Sequence, residues 1–281
     1  MIFMNAVSDR PCTLILNGFD RSGGSALART LATHPKVELF MQPFNSGPVR
    51  QKMYELWKDD TASPEDIRFF AGLERGHLQR DYIRSHWFAE SSVQEFVPGH
   101  LHVIKTTLNH FVTGWSMRRF PGIAHWALWR EPRDMLASLI RNDFIDAWYA
   151  SAIGEIRPAI LQDPELNDRF AKYLPLIDKH EQLQAAFLIA VRSTVLFREV
   201  PAQNVLSFEA FATDPTRECA HLFTACGLEA LPVDNRSDGN LTGKHYQPGL
   251  SHIENIDPAI LPLADEMFDH IAHFRPVRAA G

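Results

Sequence analysis

The stretch NGFDRSGGSALARTL runs from Asn17 to Leu31, directly after the apolar run Thr13–Leu16. It reads as a buried strand, a tight glycine turn and then a helix. Small residues at Ser22, Gly23, Gly24 and Ser25 let the backbone approach an anion closely. The N–H groups of the turn and of the helix N-terminus then point at that anion. Arg21 adds a charge-assisted, bidentate donor. A glycine turn that joins strand to helix without holding anything would use the same residues. The Gly-Lys-Ser/Thr ending of a triphosphate loop is missing, since Gly24-Ser25-Ala26 stands in its place. That argues against a P-loop kinase or NTPase.

Outward from this loop, short apolar strands alternate with helical segments. Strands are expected over Cys12–Phe19, Val37–Met41, Leu101–Lys105, Ile123–Trp129 and Asn204–Phe208. Helices are expected over Ser25–Thr33, Gln51–Trp57, Pro64–Leu78, Thr107–Arg119, Pro132–Tyr149, most of Leu161–Glu199, Thr213–Cys226 and Pro258–His273. Ser63 is placed to cap the Pro64 helix, and Gly227 to terminate the Thr213 helix. The alternation predicts an α/β fold with a central parallel sheet and helices on both faces. Ligands of such sheets sit outside the carboxyl ends of the strands. Three polar segments fall there: the Arg21 loop, Lys105, and Arg130–Arg133.

The bulk composition limits the partners. The chain has 281 residues, 45% hydrophobic and 22% charged, which fits one α/β domain over 1–281 with a helical insertion at 46–100. The net charge of −6 argues against a nucleic-acid partner, so an anion site must be local. Cys12, Cys219 and Cys226 form no CxxC pair, which argues against a disulfide framework or a zinc site. No apolar leader and no membrane-length apolar run occurs, so the expectation is a soluble, cytoplasmic protein.

A second feature lies more than a hundred residues on. Arg130 ends a strand, Pro132 opens the next helix, and Ser138 follows about two turns later. Arg130 and Ser138 would converge on a second phosphate. Together with the first loop they carry a resemblance. DRSGGSALARTLATHP resembles the 5′-phosphosulfate loop of sulfotransferases, and WALWREPRDMLASLIR resembles their 3′-phosphate motif. VIKTTL stands where that family often has a strand-end lysine, and NVLSFEAFATDP resembles its Tyr-Glu-Asp-Leu…Pro turn. The resemblance covers roughly Thr13 to Cys226 and is nearest to the bacterial and tyrosylprotein-type branch.

The resemblance implies a P-loop-like three-layer fold and the donor 3′-phosphoadenosine 5′-phosphosulfate (PAPS), with no metal. It assigns Arg21, Ser22, Gly23, Gly24 and Ser25 to the 5′-phosphosulfate, and Arg130 and Ser138 to the 3′-phosphate. Lys244, in NLTGKHYQPG, would close over the adenosine end. A small-molecule or peptide hydroxyl, or an amine, would attack sulfur in line. Arg21 and Lys105 would stabilise charge on the bridging oxygen.

The pattern breaks at the general base. Phenol-type sulfotransferases use a His two residues after the lysine, where this chain has Thr107. Tyrosylprotein-type relatives use a Glu after His-Pro, where this chain has Gln42. Glu38 and His110 are the substitutes on offer, while His34 belongs to the His-Pro turn. His77, His86 and Glu90 offer a base from the insertion, and Gln42 can orient an acceptor through its amide. These gaps also fit a non-catalytic nucleotide-binding protein that keeps the fold. Tyr54, Trp57, Phe69, Phe70, Tyr82, Trp87 and Phe88 either line an acceptor pocket or form core, and core is favoured for most of them.

Overall fold

A computed structural model of the chain describes residues 11–45, 49, 52–78, 97, 99–145, 147–178, 180–233 and 253–276. Strand β1 (Thr13–Asn17) leads through helix α1 (Gly24–Leu31) to β2 (Val37–Met41). Helix α2 (Pro64–Glu74) precedes β3 (Leu101–Thr106), which is followed by α3 (Thr113–Arg119) and β4 (Ile123–Trp129). A helical run then comprises α4 (Pro132–Arg141), α5 (Ala147–Gln162), α6 (Pro164–Phe170), α7 (Leu174–Ile177) and α8 (Glu181–Glu199). Strand β5 (Val205–Ser207) is followed by α9 (Phe208–Thr213), α10 (Pro215–Ala225) and α11 (Leu261–Ala272).

The five strands form one parallel sheet in the order β2-β3-β1-β4-β5. Side chains alternate across it, as strand geometry requires. Leu14 and Leu16 join Leu27, Leu31, Cys219 and Phe223 on the α1/α10 face. Ile15 joins Phe40, Ile104, Trp115 and Phe120 on the other. There Phe69, Phe70 and Leu73 of α2 are core residues under the sheet, together with Trp57. Cys219 and Cys226 are buried, and burial pushes both thiols up to about 12, out of reach of neutral-pH chemistry.

Helix α8 is buried from Leu183 to Phe197 and packs against α4, α5 and α11. Each fully buried Leu, Ile or Phe contributes roughly 1.5–3 kcal/mol, so this helix anchors the helical layer.

The helix expected over Pro64–Leu78 ends at Glu74, and Ala147–Gln162 is helical where residues 150–160 carried no expectation; three further differences have a local cause. Residues 52–57 form turns, not the helix expected over Gln51–Trp57. The Trp57 N–H donates to Phe111 O at 3.3 Å, and Lys52 Nζ is drawn to Asp66 at 2.7 Å. The segment Thr107–Val112 stays outside α3, because the Thr107 carbonyl is taken by Arg192 and the Leu108 N–H by Thr106 Oγ1. Helix α4 stops at Arg141 instead of continuing to Tyr149. Phe144 N–H bonds to Leu139 O at 2.9 Å and Asp143 N–H to Ile140 O at 3.0 Å, with Asp143 at φ 50°. That is a Schellman ending with aspartate in the position glycine usually takes. Gly227 (φ 71°) ends α10 in the same way, as expected. Ser63 caps α2 in a reciprocal pair with Asp66.

Candidate functional site

Connections leave the adjacent strands β1 and β4 in opposite directions, β1 towards β2 and β4 towards β5. The crevice beyond their carboxyl ends is where sheets of this type place ligands. Asn17 pairs with Ala127, so Asp20 and Arg130 each lie three residues beyond that pair. The two loops meet there. The Arg21 Nε donates to Ser138 Oγ at 3.1 Å, and Arg130 Nη1 donates to the Arg21 carbonyl at 2.6 Å.

The glycine turn is shaped by what packs on it. Gly23 has φ 92°, and a Cβ there would lie 2.2 Å from the Phe208 ring. The Arg130 guanidinium sits over the same ring, 4.9 Å from its centre. So β1, β4 and β5 each send one residue to a single contact. At Gly24, a Cβ would meet Lys105 Cε at 3.2 Å, which puts the lysine across the first turn of α1. Ser22 is buried, and its Oγ has no hydrogen-bond partner. A buried hydroxyl without a partner under a bare glycine cradle fits an anion placed among Ser22–Ser25. Glu209 braces the far side, accepting from the Glu131 N–H at 3.1 Å and from Ser207 Oγ at 2.7 Å.

Lys105 pairs in register with Leu16 and Met41, one residue short of the end of β3. It is only 7% exposed. Burial lowers its pKa to about 8; Asp20 opposes the shift and Arg29 adds to it. A bound anion would restore the charge.

The residues at the expected base positions bond to each other. Gln42 Nε2 donates to Thr107 Oγ1 at 3.2 Å, and the Thr107 N–H donates to Gln42 Oε1 at 3.1 Å. Gln42 sits at φ 51° with its N–H on the Lys105 carbonyl.

Neither substitute base is placed to act. Glu38 is level with His102 and Thr13, at the start of the sheet, where it meets His100 Nδ1 at 3.0 Å. Three strand residues, roughly 10 Å, separate it from the level of Lys105. His110 lies near Lys105 but is fully enclosed, with Nδ1 3.2 Å from an Arg192 nitrogen. Burial, then the charges of Arg192 and Lys105, hold it well below the usual histidine range. Since an arginine only donates, His110 Nδ1 must accept and is spoken for. His34 is structural: Lys36 N–H donates to its Nδ1 at 3.0 Å, leaving Nε2 to donate to Glu229 O at 3.2 Å. His77 is on the end of α2's exit turn, with its N–H on Gly72 O. Lys244, Tyr82, His86, Trp87, Phe88 and Glu90 lie outside the described residues.

Arg192 is a site residue that sequence reasoning missed. The residue is 1% exposed, and its guanidinium donates to the Thr107 carbonyl and lies over the Phe19 ring at 4.7 Å. A signal for it exists: Leu188, Ile189, Val195 and Leu196, its i±3 and i±4 neighbours, are all apolar, which puts a cation on a buried helix face.

A cleft of about 680 Å³ lined by Asp59, Glu74, Trp115 and Arg119 opens at the opposite end of the strands, where α3 runs into β4. It has no part in this constellation. Among the described residues no three His, Cys, Asp or Glu side chains group as a metal site, and no helix is long and apolar enough to cross a membrane.

No family model and no curated protein sequence matches the chain. Solved structures similar in fold include two sulfotransferases. One is a sulfotransferase from Alicyclobacillus acidocaldarius, 15% identical, with a TM-score of 0.45, covering 96% of this chain and 98% of that one. The other is the sulfotransferase domain of the Synechococcus PCC 7002 olefin synthase, 14% identical, with a TM-score of 0.49, covering 94% and 95%. The functional reading rests on the site itself.

Proposed function

We propose that the chain is a sulfotransferase that moves a sulfuryl group from PAPS to a hydroxyl or amine acceptor. The observation that carries this reading is the direct bonding of Arg21 to Ser138 and of Arg130 to the Arg21 carbonyl. It joins the two loops whose sequences resemble the donor motifs. The Ser22–Ser25 backbone and Arg21 take the 5′-phosphosulfate, and Arg130 with Ser138 takes the 3′-phosphate. The donor supplies an activated sulfur. Lys105 and Arg21 stabilise the negative charge that develops on the bridging oxygen, in a setting already assembled for it.

Calorimetry with adenosine 3′,5′-bisphosphate and adenosine 5′-monophosphate tests the donor assignment. Preference for the 3′-phosphorylated ligand is expected, and equal affinity would sink it. The mutual bonding of Gln42 and Thr107 supports a second reading, a binding protein that keeps the fold without the reaction. Transfer of labelled sulfate from PAPS to any acceptor in a panel disposes of that reading.

A further inference from the structure

We propose that Asp20 is the catalytic base of this site, taking the proton of the acceptor, and that Arg192 is the positioning residue that holds it there. The inference rests on the sulfotransferase reading and supplies the one part that reading lacks. Asp20 immediately precedes Arg21 on the β1 loop, at the carboxyl rim of the sheet. Its Oδ2 lies 3.8 Å from Arg192 Nη1, and that nitrogen is buried with no hydrogen-bond partner. The Asp20 side chain is 18% exposed whereas that of Arg192 is 2% exposed, so one edge of the carboxylate reaches the crevice while the other backs onto a fixed cation.

Arg192 of α8 meets Asp20 directly, and Arg21 of its own loop and Lys105 of β3 lie within electrostatic range of it. Asp20 lies within electrostatic range of both Arg21 and Lys105, the two cations assigned to the sulfuryl group. Among the described residues, three other candidates are committed elsewhere: Gln42 to Thr107, His110 to Arg192, Glu38 to His100. Arg192 also grips the Thr107 carbonyl, tying the β1 loop to the end of β3 through one guanidinium.

In the step itself the acceptor oxygen bonds to sulfur as the bond from sulfur to the 5′-phosphate oxygen breaks. The acceptor proton passes to Asp20, and the electron pair leaves with adenosine 3′,5′-bisphosphate, whose new negative charge meets Lys105 and Arg21. Asp20 afterwards returns its proton to water.

The test compares wild type, Asp20→Asn and Asp20→Glu in two measurements. Calorimetry with adenosine 3′,5′-bisphosphate reads folding and the donor site. Release of labelled sulfate from PAPS, with water, 2-naphthol and tyramine as acceptors, reads the reaction across pH 5 to 9. Asp20→Asn is expected to bind the bisphosphate as tightly as wild type or more tightly, because a negative charge beside an anion site is gone. Its turnover is expected to fall about 100-fold or more, as for loss of a general base. Asp20→Glu should recover part of the rate. Turnover of Asp20→Asn within about tenfold of wild type overturns the proposal. So does loss of bisphosphate binding in both variants, which would make Asp20 a support of the loop. Wild type that binds the bisphosphate yet releases no sulfate to any of the three acceptors also overturns it. Failure of wild type to prefer the bisphosphate over adenosine 5′-monophosphate is a different result, and removes the sulfotransferase reading with everything built on it.

Discussion

Arg21 donates from Nε to Ser138 Oγ at 3.1 Å, across 117 residues of chain. The loop proposed for the 5′-phosphosulfate and the helix proposed for the 3′-phosphate are therefore coupled by a side-chain bond. Groups that share a bond are not additive in their effects. In a double-mutant cycle of Arg21→Ala and Ser138→Ala, affinity for adenosine 3′,5′-bisphosphate should show a coupling of about 0.5–3 kcal/mol. Calorimetry on the four proteins measures it, and additive losses would show that the bond carries nothing into binding.

Arg130 separates grip from scaffold. It is part-exposed, donates to the Arg21 carbonyl and lies over the Phe208 ring. Arg130→Ala should weaken bisphosphate binding by roughly 1.5–3 kcal/mol, the worth of a hydrogen bond to a charged group. Affinity for adenosine 5′-monophosphate should change much less. A thermal melt close to wild type confirms that the fold is kept.

Gly23 is confined twice, by φ 92° and by the Phe208 ring. Gly23→Ala should cost about 1–3 kcal/mol of stability from strain and overpacking, and should weaken donor binding as well. Adding Phe208→Ala removes the steric part only. The double variant should bind the bisphosphate better than Gly23→Ala alone while staying less stable than wild type, which denaturant titration reads.

Lys105 predicts a pH dependence. Burial lowers its folded-state pKa from 10.5 to about 8. Between those values the unfolded chain holds a proton that the folded chain lacks, so stability rises with pH over that window. Below pH 8 both states are charged, and the cost of burying the charge is present in full. Across the window the gain is about 3 kcal/mol. Anion binding has the opposite preference, because it needs the charged amine, so bisphosphate affinity should fall as pH passes 8. Lys105→Met should abolish both slopes. The difference between wild type and this variant is the quantity to read, because Cys219 and Cys226, pushed up to about 12, destabilise the fold above pH 9 in both proteins.

The strands and the first loop were legible because they are short apolar runs closed by glycine or a charge. Val37–Met41 and Ile123–Trp129 match the expected limits residue for residue. That the Arg21 loop and the Arg130–Ser138 segment serve one site was legible only through the family resemblance, and their direct bond was not legible at all, since spacing alone does not bring residue 21 to residue 138. The end of α4 was hidden because an aspartate holds the left-handed position that glycine usually marks. The late start of α3 was hidden because its cause, the Arg192 guanidinium, is 85 residues from Thr107. The roles open to His110 and Glu38 depended on depth and on which end of a strand each occupies, and residue type carries neither.

Among the described residues three non-glycine positions have positive φ: Arg21, Gln42 and Asp143. Two of them border the crevice, and the third ends the helix that carries Ser138. Glycine at any of the three would relax the backbone, so a screen for heat resistance would be drawn to all of them. Only Asp143→Gly is expected to keep donor affinity along with a gain of up to about 1 kcal/mol. At Arg21 and Gln42 the same change removes the guanidinium or the amide that the loop is bent to present. Selection for thermal resistance and selection for the ligand therefore pull apart at these two residues and agree at the third, which makes the trio a natural gauge of how far this chain trades ruggedness for recognition.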